Sequence, residues 1–260
     1  MTGAACAGRK VGIVDGFDAE TAAREVADAL RGLGMPERAA QEKRYLKSDL
    51  EFFGVTVPET RRAVRAAWDG YPGLDAAGML AWAVALWREP VHERRMAAVE
   101  ILTRAEPVLR AEPVLRAADL GTVERLLRES RTWALVDGLS VNVAGQIALR
   151  DPLSWTCVDG WAGDEDFWIR RSAILALLPG VRAGRPDLAR FTRYAAPMLT
   201  ETEFFIRKAI GWVLREISRR DPVWVAFWTE QHLSGMSGVT FREAIRRLPA
   251  GDAGRLRSLR

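Results

Sequence analysis

Four side chains stand out for the chemistry their types and spacing allow. Trp133 and Asp137 are four residues apart, so on a helix they project from one face. Arg171 and Trp212 occupy neighbouring places in the repeat described below. A carboxylate flanked by indoles, with a guanidinium nearby, suits the stabilisation of a developing positive charge. Indole faces attract cations, and arginine takes phosphate bidentately. Taken singly, each residue has a plainer reading. A lone tryptophan is more often core, Asp137 could be a solvated helix residue, and Arg215 and Arg219 could be an exposed helix face. It is their convergence in adjacent repeats that singles them out.

The elements that must position these residues are written as a period. A basic residue opens a helix-like stretch at Arg61, Arg94, Arg131, Arg170, Arg207 and Arg242, with intervals of 33, 37, 39, 37 and 35 residues. Such a period predicts stacked helical pairs of the HEAT-like kind. Pro and Gly punctuate between the helices, and no strand-like alternation of useful length occurs. The expected fold is therefore all-α, an α-solenoid of about six helical repeats with a curved, concave surface.

Numbering each stretch from its basic residue, and turning about 100° per step, gathers positions four, five and eight on one side. That side is apolar in the inner repeats (Ala97, Ala98, Ile101; Ala173, Ile174, Leu177) and reads as core. The opposite side, positions three and seven with two and six, is then expected to line the inner wall. Position three is Ala63, Met96, Trp133, Ser172, Ala209 and Ala244; position seven is Ala67, Glu100, Asp137, Ala176, Val213 and Leu248. Position two adds Arg171 and Lys208, and position six adds Trp212.

The bulk numbers bound the alternatives. The 260 residues carry a net charge of +4, with a pI near 9.4 that comes from arginine, so a nucleic-acid signal must lie in clustering. Cys6 and Cys157 form no CxxC pair, and His92 and His232 are the only histidines, which disfavours structural zinc, a histidine triad or an HExxH site. Neither GxGxxG nor GxxxxGK[ST] occurs. The longest uncharged apolar run, residues 77–87, is too short to span a bilayer. The start of the chain lacks a signal-peptide layout, so the cytoplasm, in association with the nucleoid, is expected. Residues 1–16 read as a disordered tail, 17–250 as one repeat domain and 251–260 as a C-terminal tail. The perfect tandem RAEPVL at 104–109 and 110–115 reads as a slipped duplication in a loop.

At KRYLKSDLEFFGV (43–55), TWALVD (132–137), DFWIRRSAIL (166–175) and EFFIRKAIGWVLRE (203–216) the chain resembles the AlkD-type HEAT-like DNA alkylation repair glycosylases, over roughly residues 20–248. The resemblance implies hydrolysis of the N-glycosidic bond of cationic N3- or N7-alkylated purines in duplex DNA, with no metal or cofactor and without base flipping. By the same resemblance Asp137 is the catalytic aspartate, Trp133 the tryptophan one turn before it and Arg171 the arginine that approaches the lesion backbone. Trp212 is a second aromatic wall, Tyr45 an aromatic near the DNA, and Lys208 and Arg215 are further DNA contacts, Arg215 to a phosphate. Relatives often carry SWWD where this chain has RTWALVD, which bears on substrate range more than on reaction type. The resemblance admits bulky natural-product adducts as substrates, in a self-resistance role. A monomer acting on alkylated double-stranded DNA is expected. The alternatives are a non-catalytic solenoid binding branched or distorted DNA, and a protein-interaction scaffold.

Overall fold

The computed structural model describes residues 17–104 and 115–260. The tandem duplication, apart from its two end residues, and the expected N-terminal tail lie outside the described residues. The fold is all-helical, as the period predicts, and extended pairing among the described residues is confined to isolated bridges such as Glu51–Val91.

The described residues fall into two compact units, 17–143 and 144–260, where the sequence suggested one domain. The first holds α1 (Ala19–Gly32), α2 (Pro36–Leu46), α3 (Val57–Trp68), α4 (Ala76–Trp87), α5 (His92–Thr103), α6 (Leu120–Arg128) and α7 (Trp133–Leu139). The second holds α8 (Gly145–Arg150), α9 (Trp155–Trp161), α10 (Phe167–Leu175), α11 (Leu178–Arg182), α12 (Leu188–Met198), α13 (Phe204–Ile217), α14 (Pro222–Gln231), α15 (Gly238–Ala244) and α16 (Ala250–Ser258). The six periodic stretches are α3, α5 and α7 in one unit and α10, α13 and α15 in the other. Within each unit they pack in order, α3 on α5 on α7 and α10 on α13 on α15.

The period has a local cause. Side-chain caps start many helices: Asp18, Asp75, Asp166, Asp187, Asp221 and Ser237 each accept from a backbone N–H of the first turn, and Thr56 with Glu59 forms a capping box. Three of the six recurring arginines then tie their helix to the segment before it. Arg94 donates to the Ala85 and Leu86 carbonyls at 3.2 and 3.3 Å, satisfying acceptors at the C-terminal end of α4. Arg170 donates to the Asp164 and Glu165 carbonyls at 2.7 and 2.8 Å, and Arg207 to the Glu201 carbonyl at 2.6 Å. Half of the periodic basic residues therefore serve the scaffold.

Residues 251–260, expected as a tail, lie mostly in α16, which packs on α14 and buries Ala253 and Leu256. Arg255 pairs with Glu230 at 2.6 Å, and the Arg260 guanidinium sits 4.5 Å from the Phe241 ring centre. A Gly- and Arg-rich composition hid the few apolar contacts that dock this helix.

Candidate functional site

The core side of the register holds: Ala97, Ala98, Ile101, Ala173 and Ile174 are buried completely, and Leu177 almost so. The opposite side holds only in the first unit. There Met96, Glu100, Trp133 and Asp137, at positions three and seven, are partly exposed. In the second unit Ser172, Ala176, Ala209, Val213 and Ala244 are buried, and the open face of α13 carries Lys208, Trp212 and Arg215 instead. The register has turned by one residue, about 100°. α13 is packed on both flanks, by α10 and by α15. A Cβ at Gly211 would stand 2.6 Å from the Glu243 Cβ and 3.2 Å from the Thr240 carbonyl oxygen, so glycine lets α15 press against α13.

Trp133 is the first residue of α7, and Asp137 follows one turn later on the same face. The backbone before them is bent and braced. Arg131 has φ +54°, a left-handed conformation that a non-glycine residue adopts at a cost of roughly 1 kcal/mol or more. Several contacts hold it: Arg131 pairs with Asp49 at 2.7 Å, Ser130 Oγ donates to the Leu126 carbonyl at 2.8 Å, and Arg95 reaches from α5 to donate to the Glu129 carbonyl. Gly138 admits α5 at this point, since a Cβ there would lie 2.9 Å from Val99 Cγ1. After Leu139 the backbone widens into a π turn at Ser140–Ala144, a form concentrated at functional sites.

Tyr45 meets Trp133 edge-on, with ring centres 5.9 Å apart and planes at 82°, while remaining 72% exposed. Its position comes from the segment after α2. Lys47 turns the chain with φ 49°, and Glu51 pairs with the start of α5 through Glu51 N–H to the Pro90 carbonyl and His92 N–H to the Glu51 carbonyl, both 2.8 Å. The buried Glu93 carboxylate then accepts from the N–H groups of Phe53, Gly54 and Val55 at 2.9, 2.6 and 3.1 Å. Gly54 sits at φ +83° and a Cβ there would fall 2.1 Å from the Met35 carbonyl oxygen, so this turn admits only glycine. The EFFGV segment of the sequence motif is thus a staple that fixes the strip bearing Tyr45 and Asp49.

In the second unit, Arg171 is 3% exposed, donates to the Phe205 carbonyl and lies 5.9 Å from the Phe205 ring centre. It is a fixed interior charge. Lys208, expected as a DNA contact, and Arg215, expected as a phosphate contact, both bond the Glu243 carboxylate, whose side chain is 10% exposed. Burial would raise the Glu243 carboxyl pKa, but the Lys208 hydrogen bond and the Arg215 charge outweigh that and hold it below the usual glutamate value. Trp212 stays partly exposed between the two cations along α13. Sequence reasoning missed Glu93, Arg95 and Glu243. For Glu243 a signal existed, since it is the only acid in the column Arg62, Arg95, Thr132, Arg171, Lys208, Glu243.

No helix among the described residues is long and apolar enough to cross a membrane. Among the same residues no group of His, Cys, Asp and Glu could hold a metal ion. Residues 26–248 match the family model described as DNA alkylation repair enzyme. A solved structure described as a predicted DNA alkylation repair enzyme from Enterococcus faecalis superposes with a TM-score of 0.70 at 23% identity, over 84% of this chain and 97% of that one. The crystal structure of smu.31 from Streptococcus mutans UA159 gives a TM-score of 0.54 at 15% identity, over 82% and 98%. At these identities the structural likeness establishes the fold. A search of curated proteins gives no significant match.

Proposed function

Because the chain belongs to the family of DNA alkylation repair enzymes, we propose that it is a monofunctional DNA glycosylase that excises cationic N3- or N7-alkylated purines from duplex DNA. The observation that carries this reading is the α7 pair, Trp133 and Asp137 on one face, with Tyr45 edge-on against the indole. In the proposed reaction the C1′–N bond breaks and its electron pair passes to the purine ring, which thereby loses its positive charge. The sugar gains oxocarbenium character, and the Asp137 carboxylate stabilises it and orients a water that adds at C1′. The water's proton passes to solvent. A leaving base that is already cationic needs no strong general acid, which fits a site without histidine.

Exposure of this surface favours excision from within the stack: Tyr45 is largely open and Trp133 and Asp137 partly so, which asks for no closed base pocket. The same openness supports bulky adducts as substrates, in keeping with a self-resistance role. Arg171, anchored on Phe205, acts as a fixed charge rather than a mobile phosphate finger. Lys208, Trp212 and Arg215 form one face of α13 for the duplex.

The test is release of 7-methylguanine and 3-methyladenine from methylated duplex, with alkali-sensitive abasic sites as a second readout. Wild type should release both and Asp137→Asn should not, while binding undamaged duplex as before. Full activity in Asp137→Asn, or salt-sensitive binding without any abasic product in wild type, defeats the assignment; the second result marks a non-catalytic DNA binder.

A further inference from the structure

The helices α3 and α5 enclose a cleft of about 440 Å³ lined by Arg61, Arg65, Glu100, Thr103 and Arg104. Arg61 and Arg65 are one turn apart on α3, and Arg104 is the C-cap of α5. Among the described residues of the lining Glu100 supplies the carboxylate, and it is engaged by Arg61 Nε at 2.8 Å. Among the described residues Arg65 and Arg104 have no ion-pair partner. Arg104 is also held in place, its guanidinium 5.6 Å from the Trp68 ring centre. Thr103 does not compete for a donor here, since its hydroxyl donates to the Val99 carbonyl at 2.9 Å.

A cation at a helix C-terminus is ordinarily explained by the helix dipole. The dipole accounts for Arg65 and Arg104 singly, but not for three guanidiniums lining one cleft. Burial lowers the Arg104 pKa from its ordinary value and the Arg65 charge lowers it further, and the charges of Glu100 and Asp69 offset this only in part. Like charges held together this way are relieved by an anion.

We propose that this cleft is a phosphate-binding site, and that in the working protein its occupant is one phosphodiester of the DNA backbone. The proposal rests on the reading of the chain as a DNA-acting repair enzyme. Arg65 and Arg104 are the ligands, Arg104 presented by Trp68, while Arg61 and Glu100 form a neutral wall. A backbone phosphate carries register and affinity without sequence, so the site contributes to binding and not to the chemical step.

The experiment measures affinity for undamaged duplex against salt in wild type, Arg65→Ala and Arg65→Ala/Arg104→Ala, together with excision at saturating DNA. The double variant should bind about tenfold more weakly, with the slope of log K against log salt reduced by about 0.9, the value for one phosphate. Excision at saturation should be unchanged. Arg65→Ala alone, at an exposed residue, should show part of the loss even if the double variant folds poorly. An unchanged slope in both variants overturns the site. Pyrophosphate separates the sources: stabilisation of wild type by pyrophosphate, lost in the variants but with duplex affinity intact, overturns the backbone assignment in favour of a free anion. Absence of excision in wild type with the slope change intact overturns the glycosylase reading and leaves the phosphate site standing.

Discussion

The two helices that carry the residues of interest are built in opposite ways. α7 is seven residues long, follows a left-handed arginine and ends in a π turn. α13 is fourteen residues long, regular, and has its two outward cations, Lys208 and Arg215, sharing the single carboxylate of Glu243. Irregular backbone persists only where its surroundings over-determine it, and the contacts of Arg95, Ser130 and Arg131 do so before α7. The contrast separates two tasks. Under the proposed function the strained helix would present a carboxylate and an indole for chemistry, and the regular helix a partly compensated cationic surface for a polyanion.

The sharpest way to break this division is Asp137→Asn. On the division of tasks it should lower excision by on the order of 100- to 1000-fold, the usual loss when one electrostatic stabiliser of a transition state is removed. Duplex affinity should change less than about threefold, because the phosphate contacts lie elsewhere. An equal loss in affinity and in excision rate would mean that α7 binds rather than reacts. Gel-shift titration and single-turnover release of base distinguish the two.

How far the sequence could be read follows from the same contrast. The repeat was legible because Arg94, Arg170 and Arg207 answer the same need in three of the repeats, carbonyls of the preceding segment wanting donors. Trp133 and Asp137 were legible because helical spacing places them on one face and the motif singles them out. The change in which helix positions are open in the second unit was not legible. It depends on Gly211 and Glu243 interlocking across helices, a contact between residues 32 positions apart in the chain that a one-residue periodicity cannot encode. The pairing of Lys208 and Arg215 was hidden for the same reason, since charge counts do not say which carboxylate a cation meets. The EFFGV staple was visible as a motif but not as a structure, because a buried glutamate accepting three backbone N–H groups has no periodic signature.

Acid should separate the units. His92 in the first unit is buried against Phe52, 4.8 Å between ring centres, and burial pushes its pKa down from 6.5 to about 4. The folded state therefore binds fewer protons there than the unfolded one. Its contribution is full above pH 6.5 and is lost as pH falls towards 4, at most about 3 kcal/mol. In the second unit burial would raise the Asp159 carboxyl, but hydrogen bonds from Tyr194, Arg190 and Arg193 outweigh it and hold the pKa below 3.8; Glu243 is likewise held below 4.5. Those contributions survive until pH drops below these values. Hydrogen exchange between pH 6.5 and 4.5 should thus show α5 and its neighbours loosening while α13 and α15 keep their protection. His92→Phe should flatten the response of the first unit, and an acid profile unaltered by that change would refute the assignment.

The smallest effect tests α13 itself. Glu243→Gln keeps the side-chain shape over the Gly211 notch but removes the charge that Lys208 and Arg215 share. If the compensated face meets the DNA backbone, phosphate no longer competes with an internal carboxylate. Duplex affinity at low salt should rise by roughly three- to tenfold, and the salt slope should steepen by about one to two units, since each cation released to the DNA adds about 0.9. Lys208→Ala should then matter little in the wild-type background, where Glu243 already occupies the ammonium group, and more in the Glu243→Gln background. Equal losses in both backgrounds would show that Lys208 touches phosphate despite its partner. No change in either would remove α13 from the DNA surface and leave Glu243 with the structural task of joining α15 to α13.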